Sequence, residues 1–143
     1  MNNPVIFELS VCDARYVEAI RRLLSQLSSS PVCFDAATLC DIVSSSSSRL
    51  FLLEYGGEVY GMLTLAHYLA PTGRKMWIED VVVDSAMRGR NFGRMLVEHA
   101  MREAAAMGGT LMLTSKPSRV AANALYRSAG FEPKETNVYK KQY

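Results

Sequence analysis

The residues of this chain whose types and spacing could do chemistry form a basic, glycine-containing turn between an apolar run and an amphipathic run. The first amides of a helix lack intrahelical acceptors, and the helix dipole places partial positive charge at the same end. A helix that begins at this turn therefore predicts a binding site for a phosphate-rich ligand. The arginines add formal charge, and the glycines keep side chains away from a bulky pyrophosphate. The turn residues are Arg88, Gly89, Arg90, Asn91, Phe92, Gly93 and Arg94.

The same residues disfavour the two common nucleotide-binding loops. The turn has no glycine-rich run ending in Lys-Ser or Lys-Thr, and it lacks the three glycines of a dinucleotide-binding fingerprint. The formal net charge of +2 is too small to indicate a nucleic-acid partner. We therefore expect a phosphorylated cofactor and no nucleic acid.

The turn is similar to the acetyl-CoA signature of the GNAT superfamily of N-acetyltransferases. In that signature, Arg or Gln is followed after two residues by Gly, any residue, and Gly or Ala. Arg88 and Gly93 match its ends, whereas Asn91 stands at the inner glycine. Asn is the non-glycine residue that best tolerates left-handed backbone, so we expect its amide to remain available to a phosphate.

A second segment, residues 119–131, resembles a later motif of the same family, Asn/Arg-x-x-Ala-x-x-Leu-Tyr-x-x-x-Gly-Phe. The two motifs follow one another in the family's order. The resemblance implies an α/β (α+β) fold, the GNAT fold, in which a mixed central β-sheet with splayed parallel strands is flanked by helices. Residues 1–143 are expected to form a single acetyltransferase domain, since this length suits one core.

The resemblance also implies where acetyl-CoA binds. The turn amides would hold its pyrophosphate, and its pantetheine arm would enter between the splayed strands. There it would use the backbone of Val81, Val82 and Val83 as an added strand does. Three valines are equally typical of a strand buried on both faces, and both interpretations can hold because they use different atoms. Asn123 is a further expected CoA contact, with an exposed helical Asn as the alternative.

Tyr126 and Glu79 are the catalytic residues that the resemblance implies. Tyr126 stands where the family places a tyrosine whose hydroxyl approaches the CoA sulfur, so we expect a general acid; core packing is the alternative. Glu79 resembles the strand carboxylate that removes the amine proton, and partial burial would raise its basicity. Asp80 should face the other side of the strand unless a bulge intervenes.

Two alternatives remain open for the carboxylate. It could be structural and paired with a nearby Arg or Lys. It could also anchor a cationic substrate while solvent takes the proton. Arg119 replaces the family's Asn at the start of the second motif, where it could cap the helix or reach a CoA phosphate.

The acceptor is predicted to be a primary amine of a small molecule or a peptide, acetylated by direct transfer. Its pocket should come from the first two helices, the loop at 69–75 and a C-terminal strand near 136–139. The run at 77–83 is similar to the corresponding strand of glucosamine-phosphate N-acetyltransferases, which makes an amino sugar phosphate an alternative acceptor. A catalytically silent acyl-CoA-binding module and a protein-interaction domain are the alternative functions.

Hydrophobic periodicity and turn signals predict the elements that must position these residues. Asp13 is expected to cap a first helix that residues 28–31 end, and a serine loop at 44–48 should follow a second helix. Gly56 and Gly57 predict a hairpin turn. The helix after the basic turn predicts a parallel pair of strands. The predicted ranges are a helix at 35–43, strands at 49–54, 58–69 and 76–83, a helix that Gly108 and Gly109 end, and a strand at 110–114.

Cysteine usage and hydropathy bear on location and partners. The odd number of cysteines, Cys12, Cys33 and Cys40, and the lack of metal-ligand spacing predict reduced thiols packed as small hydrophobes. Neither His67 nor His99 has metal-ligand companions, so no metal is expected. We expect a cytoplasmic protein with no membrane partner, because no apolar run has membrane-spanning length. An exposed edge strand at 137–141 makes a homodimer plausible.

Overall fold

The structure, a computed structural model, describes residues 3–143, which separate into one unit that ends at residue 113 and a second, residues 114–143. The first unit contains a five-stranded sheet and three α-helices, and the second contains one helix. The elements are β1 (Val5–Glu8), α1 (Arg15–Leu27), α2 (Ala36–Ser44), β2 (Ser48–Tyr55), β3 (Glu58–Ala70), β4 (Gly73–Val83), α3 (Phe92–Met107), β5 (Thr110–Met112) and α4 (Val120–Ser128).

The sheet has the order β1-β2-β3-β4-β5, with antiparallel ladders throughout except for the parallel pair of β4 and β5. This mixed arrangement confirms the predicted one. Gly56 and Gly57 join β2 to β3 with φ angles of 61° and 84°, as a two-residue hairpin turn requires. Gly109 lies against β4 so closely that a Cβ there would sit 2.5 Å from the Arg74 carbonyl oxygen. Only glycine allows that approach, at the start of β5.

Helices cover both faces of the sheet. Alternate residues of β2 point to opposite sides and pack against helices on each face. Leu50 and Leu52 belong to a core cluster with Ile20 and Leu23 of α1 and Leu39 of α2. On the other face, Phe51 contacts α3 through the ring of His99, at 4.9 Å between centroids. Because the sheet is packed on both faces, the C-terminal end of β4, which leads into the basic turn, is held in place.

The helix starts follow the side chains that the sequence offers. The N-cap of α1 is Ala14, without a side-chain cap bond, so the prediction of Asp13 at this position is wrong by one residue. The Asp13 carboxylate still accepts the Arg15 amide at 3.0 Å, where α1 begins. Asp35 caps α2 by accepting the Thr38 amide at 2.9 Å. The four-residue strand β1 was not predicted, because its short apolar pattern becomes a strand only through pairing with β2.

The prediction of three reduced, packed thiols is wrong. Cys12 and Cys40 form a disulfide with a Cα–Cα distance of 5.0 Å, and Cys33 is an exposed free thiol. The pair is separated by 28 residues in sequence, so spacing gave no sign of it. The residues meet because α1 and α2 pack on the same face of the sheet. The cytoplasmic location drew on reduced thiols and stays a prediction.

In the second unit, α4 is followed by residues 131–143, which the structure describes as neither helix nor strand. The predicted edge strand at 137–141 is therefore wrong. Val138 is 74% exposed and Tyr139 is 88% exposed. These neighbours would point to opposite faces of a strand, so neither face is packed. Strand propensity takes effect only with a partner strand and a buried side. The argument for a homodimer, which rested on that edge strand, therefore no longer holds.

Candidate active site

A β-bulge interrupts β4 at the predicted carboxylates. Met62 of β3 faces Val82, whereas Thr64 faces Glu79, so β4 has one more residue than β3 between these pairs. Asp80 lies in the bulge and has a left-handed φ of 51°. Glu79 and Asp80 are consequently both exposed, and the simple alternation that would separate them does not hold.

The electrostatics of Glu79 suit a proton acceptor. Desolvation by the surrounding protein raises the pKa of Glu79 above its usual value, and the negative charge of Asp80 raises it further. Within residues 3–113, no Lys or Arg forms an ion pair with either carboxylate. The structural alternative, in which a basic residue pairs with Glu79, therefore has no partner within this unit.

Beyond the bulge, β4 has an open backbone edge. Its parallel ladder with β5 consists of Lys75 with Thr110, Met76 with Leu111, and Trp77 with Met112. The strand continues to Val83, and there it pairs with β3 alone among the described strands. Val82 is buried while its neighbours are half-buried. The Val82 side chain therefore packs in the core, while the backbone at 81–83 has no β5 partner.

The basic turn after β4 has the backbone geometry that an anion site needs. A single 3-10 turn (Ser85–Met87) leads to Gly89 with φ 81° and to Asn91 with φ 68°, directly before α3. The left-handed Asn91 is confirmed. The first intrahelical bond of α3 runs from the Met95 amide to the Asn91 carbonyl, at 3.1 Å. The amides of Phe92 and Gly93 precede that bond and lack intrahelical acceptors.

The arginines around this turn differ in their exposure and in the contacts that they make. Arg88 and Arg90 are exposed, and the Arg90 guanidinium lies 5.5 Å from the centre of the Tyr55 ring. Arg94 pairs with Glu98 one helical turn later, at 3.3 Å. A Cβ at Gly89 would meet nothing within 4 Å, so the backbone angle, rather than crowding, favours glycine there. Two exposed guanidiniums and the amides of a helix N-terminus form a donor set that fits phosphate groups.

Contacts with α1 hold the start of this turn. The sequence pattern did not single out the residues that make them. Asp84, directly after β4, is 7% exposed and forms an ion pair with Arg22 of α1 at 3.0 Å. Gln26 of α1 accepts the Ser85 amide at 2.8 Å. The one available signal was an acidic residue between three apolar strand residues and a turn. Its partners lie too far away in sequence to be paired with it.

The second unit contains the residues of the later motif. Tyr126 is 7% exposed, its ring centre lies 6.1 Å from that of Phe131, and desolvation raises the pKa of its hydroxyl while the Arg119 charge partly opposes this. Asn123 donates from its side-chain amide to the Lys116 carbonyl at 2.9 Å. That contact braces the loop before α4. Arg119 is the N-cap of α4 without a side-chain cap bond.

The histidines have local partners. The Arg74 guanidinium lies 3.2 Å from His67 Nδ1, and His99 packs on Phe51 with Glu103 at 3.7 Å. Across residues 3–143, no three His, Cys, Asp or Glu side chains cluster as metal ligands would. None of the helices formed by these residues is long and apolar enough to cross a membrane.

The segments expected to form an acceptor pocket are only partly present. A surface cavity of about 370 Å³ lies at the end of α1 and in the loop that follows it. Arg21, Leu24 and Ser25 line it from the helix, and Pro31 and Val32 line it from the loop. The strand predicted near 136–139 is absent from the described residues.

The chain belongs to the acetyltransferase (GNAT) family, whose model matches residues 17–131. Solved structures share the fold across nearly the whole chain. A putative acetyltransferase from Agrobacterium tumefaciens is 23% identical, with a TM-score of 0.83 over 96% of this chain and 99% of that one. A glucosamine-6-phosphate N-acetyltransferase from Arabidopsis thaliana is 22% identical, with a TM-score of 0.81 over 97% and 98%.

An aminoglycoside N-acetyltransferase in complex with CoA is 18% identical, with a TM-score of 0.79 over 99% of this chain and 96% of that one. No curated protein matches the chain. At these identities the structures establish the GNAT fold, and the acceptor of each is a property of that protein. The predicted fold class and family are confirmed.

Proposed function

We propose that this protein is an N-acetyltransferase that moves an acetyl group from acetyl-CoA directly to a primary amine of a small molecule or a peptide. One observation supports it most. The open backbone edge at 81–83 leads within a few residues to a left-handed turn and to the free amide end of α3. An extended arm followed by phosphates is the shape of ligand that such an arrangement suits.

The residues present fit acetyl-CoA. Phosphates would be held by the amides of Phe92 and Gly93 and by the side chains of Arg88 and Arg90, which are exposed. The pantetheine arm would bind along the backbone of 81–83, and Asn123 is a further proposed contact. When bound, acetyl-CoA supplies the activated acetyl thioester. We propose no metal in the reaction.

Two side chains of the protein would move the protons. Glu79 would take a proton from the ammonium form of the acceptor, and its raised pKa makes it a better base than an ordinary carboxylate. Tyr126 would donate its hydroxyl proton to the CoA sulfur as the N–C bond forms and the C–S bond of the thioester breaks. The resulting tyrosinate would take up the proton that the acetylated nitrogen releases, and Glu79 would pass its proton to solvent. The hydroxyl is protonated at neutral pH, and desolvation raises its pKa further. If solvent takes the acceptor proton instead, Glu79 acts as an electrostatic anchor for the ammonium group.

The family match supports treating residues 1–143 as one acetyltransferase domain, because it runs from the first unit into the second without a break. The amino sugar phosphate remains an alternative acceptor on the basis of the run at 77–83. The silent acyl-CoA-binding module remains an alternative function because of Asn91. The left-handed backbone of Asn91 argues for retained binding, since it keeps the turn in a shape that glycine would adopt.

Calorimetric titration of acetyl-CoA into the purified protein tests the proposal, followed by a thiol-release assay with pooled amines, amino sugars and peptides. We expect saturable binding and acceptor-dependent thiol release. Binding without release across successively larger panels would favour the silent module. No binding at millimolar acetyl-CoA would contradict the assignment of the Arg88 turn. The proposal would then be abandoned.

A further inference from the structure

We infer that Asp84, which pairs with Arg22 of α1 while Gln26 of α1 accepts the neighbouring Ser85 amide, is a positioning residue that fixes the acetyl-CoA turn in its binding conformation. The inference rests on the proposed function, because it concerns the affinity of the same turn for acetyl-CoA. It goes further by giving α1, which contributes none of the expected CoA contacts, a role in acetyl-CoA binding.

Asp84 is the one buried charged side chain among the described residues. Its carboxylate accepts the Ala86 amide at 3.0 Å and pairs with Arg22 Nε at 3.0 Å. Its own amide donates to the Tyr60 carbonyl of β3 at 2.8 Å. A buried carboxylate needs such partners, because desolvation would otherwise destabilise its charged form. The contacts therefore tie the end of β4 to a strand, a helix and the turn at once.

Two residues of α1 complete the attachment. Gln26 accepts the Ser85 amide at 2.8 Å, and its side chain helps to lower the pKa of Asp84. Arg22 donates to the Val59 carbonyl as well as pairing with Asp84, and its guanidinium lies 5.9 Å from the centre of the Tyr60 ring. The Ala86 amide, the Gln26 side chain and the Arg22 charge together hold the pKa of Asp84 below its usual range, despite its desolvation.

The position of these contacts gives them an effect on ligand binding. The chain must turn between Asp84 and α3 through two residues with left-handed backbone, Gly89 and Asn91. The helix amides face a phosphate only when this segment keeps one conformation. If the segment samples others, the apparent dissociation constant rises in inverse proportion to the competent fraction. Loosening the start of the turn should therefore weaken acetyl-CoA binding without removing any atom that touches the ligand.

The test compares CoA dissociation constants by calorimetry at a temperature where every variant is folded. Asp84→Asn and Arg22→Gln should each raise the dissociation constant about tenfold, a size typical of coupling between sites. The double variant should bind about as weakly as the weaker single one, because both single changes break the same ion pair. Arg22→Lys should restore part of the affinity. Arg15→Gln is the matched control, since Arg15 is exposed on the same helix and pairs with Asp13.

A second control separates positioning from general stability. Ile20→Val shortens a buried side chain of α1 and leaves the ion pair intact. It should lower the unfolding temperature but leave CoA affinity unchanged. In the ligand-free protein, the Ala86 and Ser85 amides should exchange with solvent faster in Asp84→Asn than in Ile20→Val.

The outcomes differ for the two proposals. If the unchanged protein binds CoA and Asp84→Asn binds it equally well, the inference is wrong and the proposed function stands. Equal weakening by Ile20→Val and Asp84→Asn would also overturn the inference, because affinity would then follow stability alone. Failure of the unchanged protein to bind CoA would overturn both.

Discussion

At the scale of single residues, Tyr126→Phe isolates the proposed general acid. The change removes the hydroxyl and keeps the ring that packs near Phe131. We expect kcat to fall about 100-fold, within the range measured for loss of acid–base catalysts, with the unfolding temperature nearly unchanged. Thiol-release kinetics and thermal unfolding of the two proteins measure this. A kcat equal to that of the unchanged protein would return Tyr126 to a packing role.

Glu79→Gln tests the proposed base through the pH dependence of kcat/KM. The charged form of Glu79 is the active one, and its pKa is raised, so activity should fall as pH drops through a range above that of an ordinary carboxylate. In Glu79→Gln this acidic limb should disappear and the plateau should be lower. Asp80→Asn serves as the control and should shift the limb toward lower pH, because a neighbouring negative charge is removed. If Glu79→Gln keeps the limb, the acceptor itself titrates there.

Single-residue geometry was predictable where it is local. The left-handed Asn91 followed from its position in the turn, because backbone energies depend on the residue and its neighbours. The exposure of both Glu79 and Asp80 was not predictable, because the bulge is defined by the register between β3 and β4. The ion pair of Asp84 was not predictable either, because its partner Arg22 lies far away in sequence, in the first helix.

At the scale of elements, the turn before α3 depends on the left-handed Asn91. Asn91→Gly should change the acetyl-CoA dissociation constant by less than about threefold, since glycine adopts the same backbone region. Asn91→Val should weaken binding by about tenfold or more, because a left-handed conformation destabilises non-glycine residues by about 1–2 kcal/mol and a β-branched side chain suits it worst. Calorimetry measures both. A large gain in affinity from Asn91→Gly would mean that Asn distorts the turn.

Elements with a strong local pattern were found close to their observed bounds. The strand, basic turn, helix and strand around the proposed site were all predicted, because continuous apolar residues and glycine stops mark them. In the middle of the chain, the predicted loop at 69–75 is wrong, because β3 runs to Ala70 and β4 begins at Gly73. The other errors fall at the ends of the chain. β1 needed β2 as a partner to exist, and the predicted strand at 137–141 lacks any partner in the described residues. Pairing is a property of two segments, and one segment's pattern does not contain it.

At the scale of the whole molecule, the disulfide between Cys12 and Cys40 should stabilise the fold. It closes a loop that contains all of α1, with a sequence separation of 28 residues. The loss of chain entropy in the unfolded state predicts a stabilisation of about 3–4 kcal/mol for a loop of this size. Urea unfolding with and without a phosphine reductant measures the difference in the free energy of unfolding.

Two variants control that experiment. Cys40→Ser should unfold like the reduced protein under both conditions, and Cys33→Ser should behave like the unchanged protein because Cys33 is free. Alkylation before reduction should modify one thiol per chain. Three modified thiols in the freshly purified protein would show that the pair is not bonded under those conditions.

The short ladder between β4 and β5 also defines a hinge-like point. Gly109 approaches the Arg74 carbonyl so closely that a Cβ would not fit, and the ladder ends with the pair of Trp77 and Met112. From there β4 continues to Val83 without β5 beside it. A rotation of β4 about the paired segment would move its unpaired end further than its paired end, because displacement grows with distance from the axis. A side chain at residue 109 would push on β4 at the Arg74 carbonyl and should therefore displace the edge at 81–83, several residues from any atom it touches.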